Sequence, residues 1–361
     1  MIPAKLNLWL ALLCLALLSA CGSPGAPLPP SLELARPVKD LRATRKGNLV
    51  TLAWTVPTKT TEARNIRHTG STEICRATEG MKECGTAIAK LPPARVSENA
   101  KSGANSQSYT DNISSLSTGA ADSKIVYAVN LLNSYGRAAG LSNQAAVPAV
   151  PVLAPPHDFR AQLTGEGVRL TWSPLNEAPE TAGLRFVCRI YRHEAGANVQ
   201  VVAGEVPVQS DTAPSFLDAS IEWEKTYTYH ATVATLITQS QGTEQQVEGD
   251  DTPEVTIVAH DVFPPAPPTG LEAVFSGPGQ EPFIDLVWTP DSDADLAGYN
   301  IYRSGNASEP VKVNTDLVRS PAFRDAAVIP GHEYTYSISA VDVRGNESAR
   351  SQPASEAVPQ P

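Results

Sequence analysis

Cysteine, histidine and aspartate are the side chains through which this chain could do chemistry, and their spacing narrows what that chemistry can be. The thiols are Cys14, Cys21, Cys75, Cys84 and Cys188. A thiol can be acylated, be oxidised to a disulfide or hold a metal. No Cys or His stands at ligand spacing from Cys75 and Cys84, so no zinc site is expected there. His68, His157, His193, His230, His260 and His332 are scattered singly and pair with no evident nucleophile, which makes them surface residues rather than general bases. Glycine-rich phosphate-binding loops are missing. Asp291, Asp293 and Asp295 have the alternate spacing of a calcium loop, but without its central Gly and closing Glu they read as a solvated turn. The chain is therefore read as having no catalytic residues, no metal and no cofactor.

Cys21 has the strongest context of the five. Lys5 supplies a positive start, and Leu6 to Leu18 is an apolar run too short to span a bilayer comfortably. Leu18-Ser19-Ala20-Cys21 closes it. The segment resembles the lipobox of bacterial lipoproteins, in which the cysteine receives a diacylglycerol and becomes the new N-terminus after cleavage. The resemblance implies a signal peptide over 1–20, lipidation of Cys21 and a membrane partner reached through lipid alone. Each buried methylene contributes about 0.8 kcal/mol, and more than one acyl chain makes such an anchor stable. An Asp directly after the lipidated cysteine favours inner-membrane retention in many members of that family. Here the residue is Gly22, which points to the bacterial cell envelope with the outer membrane favoured over the inner.

Composition bounds the rest. A chain of 361 residues makes two or three domains of ordinary size. Its 31 prolines and strand-like alternation, punctuated by Pro, Gly, Asn and Asp, argue for an all-β protein. The formal net charge of -10 lacks the clustered Lys and Arg that displace counterions from phosphate, so no nucleic-acid partner is expected. On an exported protein that acidity reads as a solubility property.

Three copies of one pattern occupy the chain. A strand ending in tryptophan appears as Val50-Thr51-Leu52-Ala53-Trp54, Val168-Arg169-Leu170-Thr171-Trp172 and Ile284-Asp285-Leu286-Val287-Trp288. Alternation buries one face of each, placing Trp54, Trp172 and Trp288 in three separate cores. Further on come Ile74-Cys75-Arg76, Ile190-Tyr191-Arg192 and Ile301-Tyr302-Arg303. An aromatic and an aspartate two residues later follow, as Tyr109 and Asp111, Phe216 and Asp218, Phe323 and Asp325. A strand holding Tyr127, Tyr229 or Tyr336 completes each pattern.

This order resembles the fibronectin type III domain, a seven-stranded β-sandwich of about 100 residues. The third copy carries the resemblance best, in Asp295-Leu296-Ala297-Gly298-Tyr299-Asn300-Ile301-Tyr302-Arg303 and in Pro330-Gly331-His332-Glu333-Tyr334. The resemblance implies a tyrosine corner at Tyr334 and at Tyr227, whose hydroxyls would bond back to the backbone. The first copy departs, with Ile125 at the matching place. The fold expected is three tandem fibronectin type III (immunoglobulin-like) sandwiches, over 36–148, 156–260 and 266–358, after a Pro-rich tether over 21–35. Proline-dense segments at Pro148 to Pro156 and Pro264 to Pro268 would act as semi-rigid spacers.

With the core-facing isoleucines as reference, Cys75 points outward beside Ile74 and Cys188 inward, two residues before Ile190. Eight residues including Gly80 separate Cys75 from Cys84, a fitting length for two strands and their turn, so a Cys75–Cys84 disulfide is expected, leaving Cys188 as a buried free thiol. Thr238 to Thr252 is unusually long and acidic, either a recognition loop or a solvated insertion. Arg344-Gly345-Asn346 sits where some animal members carry an integrin-binding Arg-Gly-Asp, but Asn replaces the required carboxylate. The function expected is non-catalytic: a lipid-anchored envelope protein that displays its modules to a protein or polysaccharide partner. The alternative is an accessory carbohydrate-binding subunit of a secreted polymer-degrading system. A line of exposed aromatics would favour the latter, and Trp223 is the one tryptophan outside the core positions and the signal.

Overall fold

A computed structural model describes residues 32–94, 105–116, 120–175, 181–208, 213–238, 244–305 and 308–360. The expected signal peptide over 1–20, Cys21 and most of the expected tether lie outside the described residues. The described residues contain strands and no helix, so no helix among them is long and apolar enough to cross a membrane.

The first sandwich comprises β1 (Arg42–Lys46), β2 (Leu49–Thr55), β3 (Thr72–Ala77), β4 (Ala87–Leu91), β5 (Ser106–Asn112), β6 (Lys124–Leu131) and β7 (Ala145–Pro148). β2 lies between β1 and β5 in one layer, and the other runs β4-β3-β6-β7. Period-two alternation in β2 turns Val50, Leu52 and Trp54 inward, where they meet Ile74, Tyr127 and Val129 from the facing layer. β6 is buried on nearly every residue.

The second and third sandwiches belong to one compact unit, Val152–Thr238 with Glu244–Pro361. The second comprises β8 (Arg160–Thr164), β9 (Gly167–Thr171), β10 (Leu184–Glu194), β11 (Gln200–Pro207), β12 (Ser215–Asp218), β13 (Thr226–Thr238), β14 (Glu244–Asp251) and β15 (Val255–Val258). β9 pairs with β8 and β12, while β13 pairs with β10 and, in succession, with β14 and β15. The third repeats the plan with β16 (Glu272–Phe275), β17 (Ile284–Val287), β18 (Leu296–Gly305), β19 (Val311–Lys312), β20 (Ala322–Asp325), β21 (His332–Asp342) and β22 (Ala354–Val358), in layers β16-β17-β20 and β19-β18-β21-β22.

Each sandwich has its own hydrophobic cluster, and Trp54, Trp172 and Trp288 are 1%, 5% and 5% exposed within them. Where the final strand leaves the ladder, a hydroxyl replaces the lost backbone acceptor. Ser142 Oγ accepts from Val129 N at 2.9 Å, Thr252 Oγ1 from Ala231 N at 3.0 Å and Ser351 Oγ from Ile338 N at 3.1 Å. Leaving such buried amides unpaired would cost about 1–3 kcal/mol each.

The segment Thr238 to Thr252, read above as a loop or insertion, is instead largely the strand β14, zipped to the far half of β13. Val247 and Gly249 point inward while Gln246 and Glu248 reach a neighbouring arginine, an alternation that its density of polar side chains conceals.

Candidate functional site

The three sandwiches share one buried polar site, built from β3, β5 and β6 in the first copy and from the equivalent strands in the others. Arg76 Nη1 donates to Asp111 Oδ2 at 2.7 Å, and Tyr127 Oη donates to the same oxygen at 2.7 Å. Arg192 and Tyr229 meet Asp218 Oδ2 at 2.8 and 3.0 Å. Arg303 and Tyr336 meet Asp325 Oδ2 at 2.7 and 2.9 Å. The aspartates are 6%, 2% and 4% exposed, so each buried charge is paired and hydrogen-bonded, as burial of a carboxylate requires. Burial, reinforced by the adjacent carboxylate, pushes all three phenols far above the ordinary tyrosine range. They stay neutral and cannot serve as bases near neutral pH. The sequence motifs named every member of these triads, but not that they converge on one oxygen.

Tyr227 and Tyr334 stand two residues before Tyr229 and Tyr336. Their hydroxyls accept the N–H of Glu222 and of Ile329, both at 2.9 Å. The guanidinium of Arg192 lies 5.3 Å from the Tyr227 ring centroid, and that of Arg303 lies 5.3 Å from the Tyr334 ring. Among the described residues, Arg76 has no such ring beneath it, since Ile125 holds that position.

Cys75 and Cys84 are joined by a disulfide with a Cα–Cα distance of 5.4 Å. Cys75 is buried yet stands outside the hydrophobic cluster that holds Ile74. Cys188 is a free thiol within the second core, and burial pushes its pKa up to about 12, so it is unreactive.

In the second sandwich, the outer face of β10 carries Arg189, only 8% exposed. It donates to Glu205 on β11 at 2.7 Å, and to Glu248 and Gln246 on β14 at 2.7 and 2.8 Å. Burial opposes its charge, but the two carboxylates and the Tyr191 hydroxyl outweigh that and raise its pKa. Beside it Tyr191 stacks on His230, with ring centroids 5.1 Å apart.

The calcium-like aspartates separate in space. Asp291 Oδ1 accepts Asp293 N at 3.0 Å, and Asp293 Oδ2 accepts Ala266 N at 3.1 Å. Only Asp295 joins other carboxylates, those of Asp261 and Asp342, with one oxygen of each within 4.8 Å of the others. That trio could in principle hold a cation, but it is answered from within. Arg344 Nε lies 3.2 Å from Asp261 Oδ2, and Asp342 caps its turn by accepting Arg344 N and Asn346 N at 2.8 and 2.9 Å. Burial would raise the Asp342 pKa; the Asn346 side chain and the turn amides prevail and lower it. Arg344 also reaches Glu224 at 3.3 Å, and Asn346 Nδ2 donates to Asp261 O at 3.2 Å. The Arg344-Gly345-Asn346 turn therefore fastens the second and third sandwiches to each other.

The histidines engage in local contacts: His193 with Ala197 O, His260 with Glu224 and His332 with Pro330 O. Trp223 is half-buried against the second core, its ring 6.1 Å from that of Phe263, and the two rings line a cavity of about 480 Å³. Among the described residues, Tyr135 is the one strongly exposed aromatic, at the tip of a turn whose amides are held by Asn133 Oδ1.

No family model matches the chain. It is similar to a part of the amylopullulanase of Thermoanaerobacterium thermosulfurigenes, 40% identical over 97 residues, which is 26% of this chain and 5% of that protein. The amylopullulanase of Thermoanaerobacterium saccharolyticum is 40% identical over 94 residues, 25% of this chain and 7% of that protein. The chain thus spans only a small fraction of the length of these relatives. Among solved structures, the FN1-FN3 domains of chicken CNTN1 match 90% of this chain and 99% of theirs, at 15% identity and a TM-score of 0.25. An Fn3-like protein from Clostridium thermocellum matches 27% of this chain and 98% of its own, at 30% identity and a TM-score of 0.23. The paired antiparallel layers described give the chain a tandem β-sandwich fold of the fibronectin type III-like kind.

Proposed function

We propose that this is a non-catalytic, lipid-anchored protein of the bacterial cell envelope that displays tandem β-sandwiches to a protein or polysaccharide partner. The observation that carries the display role is the architecture itself. The buried Asp111, Asp218 and Asp325 carboxylates are each consumed by an arginine and a tyrosine that hold the strands together, and the phenols and the free thiol are kept neutral. The anchor rests on the lipobox resemblance at Leu18-Ser19-Ala20-Cys21.

The second reading is an accessory carbohydrate-binding subunit of a secreted polymer-degrading system. It is favoured by the 40% identity to segments of amylopullulanases. Tyr135, exposed at a turn tip, is the residue best placed to stack on a sugar ring.

Two measurements test the proposal. The full chain should partition with membranes, and Cys21→Ser should release it in folded form. Retention of Cys21→Ser under carbonate and high salt would end the anchor reading. The released protein is then used as bait on solubilised envelope, with proteins and glycans both read out. A saturable protein partner supports display, whereas glucan retained without protein moves the accessory reading to the front.

A further inference from the structure

The first sandwich lacks the tyrosine that its two siblings place under their triad arginine, and the residue that replaces it lines a cleft together with that arginine. Tyr227 and Tyr334 each set a phenol ring 5.3 Å from a guanidinium carbon. At the matching position Ile125 is shorter by most of a ring and carries no polar tip. Around it opens a cleft of about 330 Å³. It is lined by Arg76, Ala77, Leu116, Asp122, Lys124 and Ile125, among others. Such a volume lies at the small end of ligand sites and is ample for one phenol ring.

The chemistry of the lining agrees. Arg76 donates to Asp111 through Nη1, as Arg192 and Arg303 do to their aspartates, which anchors its guanidinium at the cleft. An anchored guanidinium with apolar walls from Ala77, Leu116 and Ile125 suits a flat π-face. Lys124 and Asp122 line the same cleft.

We infer that this cleft is a docking site for an aromatic side chain, a tyrosine above all, presented by a partner protein. The partner's ring would take the place that the siblings fill with their own. The inference stands independently of the lipid anchor, because it rests on the comparison of three copies within one chain.

The test is a titration of p-cresol, the tyrosine side-chain analogue, into the full chain carrying Cys21→Ser, followed by methyl NMR. Saturable shifts are expected at Ala77, Leu116 and Ile125, and none around Tyr227 or Tyr334. The non-aromatic 4-methylcyclohexanol should bind at least severalfold more weakly. Ile125→Tyr should fill the cleft and abolish the shifts. Should that variant fail to fold, Arg76→Lys decides: it keeps the charge for Asp111 but removes the stacking plane, and should weaken p-cresol by about tenfold. Equal binding of the two alcohols, unchanged affinity in Arg76→Lys, or no shift up to the solubility limit would each overturn the inference. Maltotriose shifting these methyls where p-cresol does not would overturn it in favour of a saccharide cleft.

Discussion

Asp218 shows how much one residue organises in these sandwiches. Its carboxylate accepts from Arg192, Tyr229, Ser220 N and Ser220 Oγ, and it is 2% exposed. An Asn in its place would keep one acceptor oxygen but turn an amide N–H₂ group towards donors. Breaking a fully buried ion pair costs about 3–5 kcal/mol, and Arg192 is partly solvated, so Asp218→Asn should destabilise the second sandwich by about 2–3 kcal/mol. Hydrogen exchange resolved along the chain would measure this as faster exchange in β9, β10 and β13 with the first sandwich unaffected. Unchanged protection in those strands would mean that the triad is a packing arrangement of little energetic weight. All three aspartates could be picked out in the sequence, two residues after an aromatic. That they share a partner geometry could not, because the partners come from strands distant in sequence.

At the level of elements, β14 departs most from what its sequence suggests. A stretch with Glu244, Glu248, Asp250 and Asp251 reads as solvated, yet it forms a ladder with β13 over Gln245 to Glu248. Arg189 is the reason that this acidic strand can lie flat on the sheet, since it supplies a cation to Glu205 and Glu248 across the four strands from β11 to β14. Removing Glu248 leaves Arg189 with one carboxylate and loosens the outer end of the hairpin. Glu248→Ala should therefore raise amide exchange across Glu244–Asp251 by about tenfold, equivalent to about 1.4 kcal/mol of local stability, while β15 stays protected. Equal protection in the variant would show that backbone pairing alone holds the hairpin. Turn residues and strand periodicity were legible for the core strands because one face of each is uniformly apolar. They were not legible for β14, where a cross-strand charge network replaces apolar burial.

Across the whole molecule, the informative contact is the one between the second and third sandwiches. Arg344, Asn346, Asp261 and Glu224 bring the last turn of one module against the end of the other. Asp261 is 3% exposed at its side chain and would be left buried without its cation if Arg344 were removed. Arg344→Ala should uncouple the two modules: ¹⁵N relaxation should show them tumbling together in the native chain and more independently in the variant. Identical relaxation would place the coupling in the Pro264–Pro268 segment instead. The Arg-Gly-Asn motif was noticed for its place in a turn, but a sequence does not say that its arginine faces a neighbouring module.

The sequence by itself determined the all-β class, the three repeats and the positions of the tryptophan strands, because these follow from local alternation and turn residues that act over a few positions. It also supplied the lipobox resemblance and singled out Ile125 as the position where the first copy departs from the corner. Only the tertiary structure decided that each aspartate gathers an arginine and a tyrosine, that an acidic stretch is a strand and that Arg344 bridges two modules. It alone turned a missing tyrosine into a cleft beside Arg76. Those features depend on which side chains meet across separate strands, and that depends on strand register and layer packing rather than on neighbours in sequence.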